Sequence, residues 1–135
     1  MKLRALEAQF LRWESKVETR EFVNDPAVGI ASGTHEVTGP VDYFHPVGTL
    51  AEAHGICFLC PLSYQRQGGP VGAHTVQVFF CGSPVPPHLG LNSDNQPVRW
   101  TPAGSGLDDL TLSPSIAEQD NSCKWHGHVS NGDAA

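Results

Sequence analysis

Positive charge is scarce in this chain: eight Lys and Arg stand against fourteen Asp and Glu, giving a formal net charge of −6 at pH 7. A protein whose main task is to bind a phosphate backbone needs clustered cations, so this composition argues against that class. Long apolar runs are also lacking, since no stretch approaches the ~20 apolar residues of a membrane-spanning helix. We therefore expect no nucleic-acid partner and no membrane.

Charged residues make up only 16% of the 135 residues, whereas Gly 14 and Pro 11 are abundant. This composition is typical of short elements joined by many turns. The length suits one domain with a modest core, residues 1–135. Within it we separate an N-terminal helix or strand with its loop, 1–48, from a core at 49–132. The predicted fold class is a small β-rich α+β domain of mostly short antiparallel strands, with one or two short helices.

Apolar spacing gives mixed signals near the N-terminus. Apolar residues recur at intervals of three and four, which predicts an amphipathic helix through Leu3, Leu6, Phe10, Trp13 and Val17. A strand over residues 8–13 is the alternative. Residues 25–40 are rich in Gly, Pro, Ser and Thr and predict a long loop or hairpin connection.

Further along, the patterns are clearer. Residues 49–54 predict a short helix, because Thr49 and Glu52 stand at capping-box positions. Alternation over 74–81 predicts a strand. Leu110, Leu112 and Ile116 are expected to face inward, and a last strand should close with the Asn-Gly turn at 131–132.

Two pairs of soft metal ligands have the same internal spacing: Cys57-Phe-Leu-Cys60 and Cys123-Lys-Trp-His126. Each spacing lets one tight turn direct both side chains at a single ion. Three cysteines and one histidine are a ligand set that Zn²⁺ accepts in structural sites. The sequence therefore predicts a zinc-knuckle pair that staples the fold, with Cys57, Cys60, Cys123 and His126 as ligands and Zn²⁺ as a structural cofactor.

Other roles for the same residues stay open. His54, three residues before Cys57, could replace His126 as the fourth ligand, and so could Cys81, which we otherwise expect to be a small buried residue at a strand end. The cysteines could also be buried thiols or a disulfide framework. No hydrophobic signal segment follows Met1, so we expect a protein that is not secreted, in which thiols stay reduced.

Two blocks carry a resemblance to a known family. The motif Leu-Ser-Pro-Ser-Ile116, followed by Cys123-Lys-Trp-His126-Gly, resembles a small domain family of tailed bacteriophages and some bacteria. Residues 49–72 fit as well. The resemblance implies metal ligation by Cys60, Cys123 and His126 and by a second cysteine. Phage relatives place that cysteine where this chain has Ser63, and here Cys57 would take its role.

The resemblance implies no established activity. Phage members carry the label "ammonia monooxygenase", but such an oxygenase needs clustered His or carboxylate ligands that this sequence lacks. Bacterial members lie beside ubiquitin-like conjugation genes. This neighbourhood is a genomic context and does not assign a function.

We predict a non-enzymatic, zinc-stabilised accessory or virion-associated structural protein, located in the host cytoplasm or the virion. Its partners would be other proteins, such as phage structural subunits, and we also consider a homo-oligomer. A metal-dependent hydrolase with an open zinc site is one alternative, with His128 or Asp109 as general base. The sequence shows neither an H-E-x-x-H motif nor a Ser-His-Asp signature. A component of a ubiquitin-like conjugation system is the other alternative.

Overall fold

A computed structural model describes residues 1–24, 33–118 and 123–135. The regular elements in chain order are a 3-10 helix at Leu3–Leu6, β1 (Gln9–Asn24), β2 (Gly33–Val47), a 3-10 helix at Leu50–Glu52, β3 (Gly55–Leu59), α1 (Pro61–Gln67), β4 (Thr75–Phe79), β5 (Thr101–Ala103), β6 (Thr111–Ser113), β7 (Ile116–Ala117), β8 (His126–Gly127), β9 (Val129–Ser130) and β10 (Asp133–Ala134). Strands dominate and pair antiparallel. The β-rich α+β prediction is confirmed at this level.

The largest sheet has the strand order β2-β1-β3-β4. In β3 and β4 successive residues face opposite sides of the sheet, and one side is apolar. Ile56 lies opposite Val78, and Phe58 lies opposite Val76. All four side chains are almost fully buried. Cross-strand pairs of this kind fix the register, because a slip by one residue would expose the whole apolar set.

The chain forms two compact units. One unit joins Met1–Arg12 to His45–Ala135 and contains the main hydrophobic core. The other unit is Trp13–Phe44, and its described residues belong to β1 and β2. Within it the indole N–H of Trp13 donates to Asp42 at 2.8 Å. This bond joins the two strand segments that the structure describes in the second unit.

The N-terminal helix prediction is wrong beyond its first turn, and the strand alternative is right. A 3-10 helix covers Leu3–Leu6, and β1 begins at Gln9. Between them Glu7 adopts the left-handed conformation, φ 56°, which ends the helix. Phe10 is buried in strand geometry because it pairs with Ile56. Pairing with β3 therefore determines the conformation of this segment, although its apolar residues have helical spacing.

The predicted loop at 25–40 is partly replaced by strand. Residues 25–32 lie outside the described ranges, but β2 begins at Gly33 and includes Pro40. A proline cannot donate to a ladder and is confined to edge strands. Because β2 lies at the end of the sheet order, Pro40 fits without breaking a bond to a second neighbour.

The predictions for the short helix, the strand over 74–81 and the Asn-Gly turn agree better with the structure. The strand predicted over 74–81 is β4 (Thr75–Phe79), and the helix at 49–54 is reduced to the 3-10 turn Leu50–Glu52. The Asn-Gly turn is confirmed, since Asn131 and Gly132 both have positive φ between β9 and β10. Helix α1 was not predicted, although Pro61 at its first turn and a left-handed Gly68 at its end are standard helix limits.

Both ends of the chain meet in the first unit. The Met1 amino group donates to the carbonyl of Ala134, and the Ala134 N–H donates back to Met1, each at 2.8 Å. Leu3, Leu110, Ile116 and Ala134 are buried in the same core, as expected for Leu110 and Ile116. Within the described ranges, no helix is both long and apolar enough to cross a membrane.

Candidate active site

A serine and a histidine meet on the exposed side of the short ladder formed by β7 and β8. Ile116 pairs with Gly127 and Ala117 pairs with His126. Ile116 and Gly127 are buried, whereas Ala117 and His126 are exposed. Ser115 precedes Ile116 and lies on the side of Ala117, because alternate residues face the same way. The Oγ of Ser115 lies 3.1 Å from the Nε2 of His126.

The serine is anchored through its backbone. The indole N–H of Trp100 donates to the carbonyl oxygen of Ser115 at 3.2 Å. On one side of Ser115, β6 pairs with β5, and on the other Ile116 is buried to 2% exposure. Ser115 itself is only half-buried. Its hydroxyl is therefore accessible while its main chain is held on both sides.

The histidine is carried by a strand whose inner face is tightly packed. Trp125 and Gly127 flank His126, and both are buried. The Trp125 ring meets Phe58 edge-on, with centroids 6.0 Å apart, a favourable aromatic geometry. A Cβ on Gly127 would come within 2.5 Å of both the Ala135 carbonyl oxygen and the Trp125 ring. This glycine lets the strand lie against the indole and presents His126 outward.

Of the four predicted zinc ligands, two are brought together. The Sγ atoms of Cys60 and Cys123 lie 3.3 Å apart, and both residues are buried. The His126 ring instead bonds Ser115, on the exposed side of its strand. Cys57 lies between the buried residues Ile56 and Phe58 and is half-buried.

Cys57 lies at a surface hollow and not at the contact between Cys60 and Cys123. It borders a hollow of about 320 Å³, together with Glu7, Gln9, Phe58, Leu59 and Thr75. Among the residues that the structure describes, no group of three or more His, Cys, Asp or Glu side chains is placed to hold a metal ion. The four-ligand zinc site stays a prediction from the sequence.

The two alternative ligands lie at strand ends. His54 precedes β3, and its backbone bonds Leu11 and Phe80. Cys81 follows β4 and is exposed, with the hydroxyl of Thr101 3.6 Å from its Sγ. The expectation that Cys81 is buried is therefore wrong, because the apolar run ends one residue earlier, at Phe80.

The two candidate general bases have different surroundings. The Asp109 carboxylate accepts the N–H groups of Ser105 and Gly106 and the Ser105 hydroxyl, at 2.8–3.1 Å. These donors hold the pKa of Asp109 below its ordinary value. Asp109 is thus the anchor of a turn. His128 is exposed, and its backbone pairs with Ala135.

Ser115 is a candidate functional residue that the sequence patterns did not predict. It is separated from His126 by eleven positions, and only the pairing of β7 with β8 makes them neighbours. The available signal was that both residues belong to the blocks that carry the family resemblance, Leu-Ser-Pro-Ser-Ile and Cys-Lys-Trp-His-Gly.

Comparison with known proteins gives one family. A model described as bacterial ubiquitination-like system serine protease (BubE) matches residues 62–135. The matched segment contains Ser115, His126 and Cys123 and begins after Cys60. No curated protein and no solved structure matches the chain.

Proposed function

The chain belongs to the family of bacterial ubiquitination-like system serine proteases, and on that premise we propose that it hydrolyses an amide bond with Ser115 as nucleophile and His126 as general base. Membership connects the chain with a bacterial ubiquitination-like system, the second alternative drawn from the sequence. The virion-associated role, with phage subunits as partners, stays a prediction.

The observation that carries the proposal is the 3.1 Å contact between the Oγ of Ser115 and the Nε2 of His126. A serine hydroxyl is a weak nucleophile until a neighbouring base takes its proton. A nucleophile and base within hydrogen-bond reach are the defining geometry of such a pair, whatever their order along the chain. The family description supplies the reaction class, and the contact supplies two residues that can perform it.

The reaction then follows the general course of serine hydrolases. Ser115 Oγ attacks the scissile carbonyl carbon while Nε2 of His126 takes the hydroxyl proton. The imidazolium returns that proton to the leaving amine as the C–N bond breaks, which leaves an ester on Ser115. Water attacks the ester, with His126 again accepting and returning a proton. The products are a carboxylic acid and an amine, and the free enzyme is restored.

Accessibility suits a protein substrate. His126 is exposed and Ser115 half-buried on the outer side of a two-stranded ladder. An extended segment of another protein can approach such a surface along the strands. We propose as substrate the ubiquitin-like protein of the same conjugation system, cleaved at an extended chain end or released from a conjugate.

The metal-dependent hydrolase alternative gains less support. Its candidate base Asp109 is engaged by the Ser105–Gly106 turn, and His126, one of its expected ligands, bonds a serine hydroxyl. A serine nucleophile does not require a metal-bound water to attack the carbonyl. The Ser–His pair therefore gives the simpler chemistry for this chain.

A fluorophosphonate probe tests the nucleophile before any substrate is known. Attack by the activated hydroxyl on phosphorus expels fluoride and leaves a stable phosphonate ester on the serine. We expect one adduct, mapped to Ser115 by peptide mass spectrometry. The Ser115→Ala variant should lose it. Ser113→Ala is the matched control, because Ser113 is exposed, belongs to the same motif and should leave labelling unchanged.

The substrate is tested with the ubiquitin-like protein encoded beside family members, carrying a short C-terminal extension. Cleavage by the unaltered chain and by Ser113→Ala, with at least about a 10³-fold loss in Ser115→Ala, is the expected result. Equal cleavage or equal probe labelling in Ser115→Ala would overturn the assignment of the nucleophile. Labelling of Ser115 without cleavage of this protein would overturn only the choice of substrate.

A further inference from the structure

Two buried thiols lie in contact on the inner side of the first unit. The Sγ atoms of Cys60 and Cys123 are 3.3 Å apart, although the residues are far apart in sequence. Cys60 is fully buried, and Cys123 is 7% exposed. Both residues are present as thiols in the structure. A disulfide has an S–S distance near ~2.0 Å, so a small approach of these two sulfur atoms would allow a bond.

Neighbouring backbone groups hold the sulfur of Cys60 in place. Cys60 immediately precedes α1, and the backbone N–H groups of Ser63 and Leu62 donate to its Sγ. Burial raises the pKa of the Cys60 thiol, and these two N–H groups oppose that rise. The N–H of Cys60 itself donates to His74. The sulfur of Cys60 is therefore held in position, aimed at Cys123.

Cys123 begins the segment that carries the candidate general base. It is followed by the left-handed Lys124, then by Trp125, which packs on Phe58, and then by His126. A bond from Cys123 to Cys60 would tie the start of this segment to the start of α1.

The donor geometry fits a pair better than a four-ligand site. Cys57 lines the 320 Å³ hollow beside Glu7 and Gln9, and the His126 ring is bonded to Ser115. A tetrahedral zinc site needs all four donors to point at one position. Here only two of the four predicted donors are in contact.

We propose that Cys60 and Cys123 form a reversible dithiol–disulfide pair that clamps the His126-bearing segment to α1. Formation of the bond removes two protons and two electrons from the thiols, and a disulfide of the glutathione class accepts them. One cysteine attacks a sulfur of oxidised glutathione, which releases the first glutathione as a thiol and leaves a mixed disulfide on the protein. The second cysteine then attacks the protein sulfur of that mixed disulfide, which forms the Cys60–Cys123 bond and releases the second glutathione as a thiol. The inference is independent of the proposed protease activity.

Peptide mapping after controlled oxidation tests the pair. The full chain is reduced with dithiothreitol, exposed to oxidised glutathione, denatured and alkylated. The Cys57→Ala/Cys81→Ala variant keeps only the proposed pair and does not alter the core contact. In it we expect simultaneous loss of both alkylation sites and a cross-linked peptide joining residues 60 and 123. We also expect a rise in the melting temperature on the order of 10 °C, because the bond closes a long loop of the unfolded chain.

Two results would overturn the proposal. One is that Cys60 and Cys123 both remain alkylated in this variant after oxidation, or carry only glutathione. The other is one equivalent of zinc in protein purified without added metal, lost in Cys60→Ser and retained in Cys81→Ala. Neither result depends on proteolysis, so the failure of this pair is distinguishable from the failure of the Ser115–His126 assignment.

Discussion

The indole N–H of Trp100 donates to the carbonyl oxygen of Ser115 at 3.2 Å. The backbone of Trp100 is itself held, since its N–H donates to Phe79 and its carbonyl accepts from Cys81. The end of β4, through Trp100, thus fixes the main chain that carries the candidate nucleophile. The side chain of a non-reacting residue contributes directly to the placement of Ser115.

Replacing Trp100 by Phe should impair catalysis more than folding. The change removes the indole donor and keeps an aromatic ring. One hydrogen bond contributes about 0.5–1.5 kcal/mol, so we expect kcat/KM for the extended ubiquitin-like protein to fall roughly 2- to 10-fold. The rate of fluorophosphonate labelling of Ser115 should fall in parallel.

Trp13→Phe is the matched control, because it removes an indole bond to Asp42 in the other compact unit. Its labelling rate should equal that of the unaltered chain. If Trp100→Phe labels as fast as Trp13→Phe and the unaltered chain, Trp100 has no positioning role.

A methyl group at Gly127 should destabilise the chain. The new Cβ would lie 2.5 Å from the Ala135 carbonyl oxygen and from the Trp125 ring, so the strand or the indole must shift. Overpacking of this kind costs about 1–3 kcal/mol of unfolding free energy. Urea unfolding should show the loss for Gly127→Ala. Gly48→Ala serves as control, since its Cβ would meet nothing within 4 Å; equal midpoints for the two variants would contradict the packing described here.

Local sequence patterns predicted some elements well and missed others for identifiable reasons. The strand at β4 and the Asn131–Gly132 turn depend on alternation and on positive φ, which are encoded within a few residues. The ladder of β7 and β8 has two residues on each strand, too few for any alternation to be recognised. Since that ladder creates the Ser115–His126 contact, the candidate site was not predicted from spacing.

The cysteines of the first predicted knuckle show a second limit of sequence spacing. The spacing of Cys57 with Cys60 suggests a shared ion, but a regular strand places Cys57 between the inward residues Ile56 and Phe58. Cys60 continues the alternation of Ile56 and Phe58, is buried in the same core, and contacts Cys123. On extended chain, residues three apart face opposite sides, so Cys57 and Cys60 do not share a face, and the spacing alone does not report that this segment is extended.

Acid should weaken the fold partly through Asp109. Its folded-state pKa is lowered by the N–H groups of Ser105 and Gly106. A group with a depressed pKa stabilises the fold above its unfolded value, about 3.9, and this stabilisation is lost as the pH falls through the lower folded value. Asp109→Asn should therefore lower the melting temperature at pH 7 and differ little from the unaltered chain near pH 2.

The exposed Asp94 offers the control for this titration. Asp94→Asn should reproduce the melting curve of the unaltered chain at pH 7 more closely than Asp109→Asn does. A deficit in Asp109→Asn that persists undiminished at low pH would show that the carboxylate charge is not the source of the stabilisation.

His126→Ala separates the catalytic role of this histidine from the structural role expected of a zinc ligand. Because the ring is exposed and contacts the Ser115 hydroxyl, its removal should leave the far-ultraviolet circular dichroism and the melting temperature nearly unchanged. Loss of a general base should lower kcat by about 10²–10⁴-fold and slow fluorophosphonate labelling similarly. A zinc ligand behaves in the opposite way, since its loss removes the metal and with it the fold. Zinc content, melting temperature and labelling rate, measured on the same preparation of His126→Ala, therefore distinguish the two roles. Cys60→Ser is the companion variant: because its sulfur is buried, we expect it to lower the melting temperature and to leave the fluorophosphonate labelling rate of the folded protein unchanged.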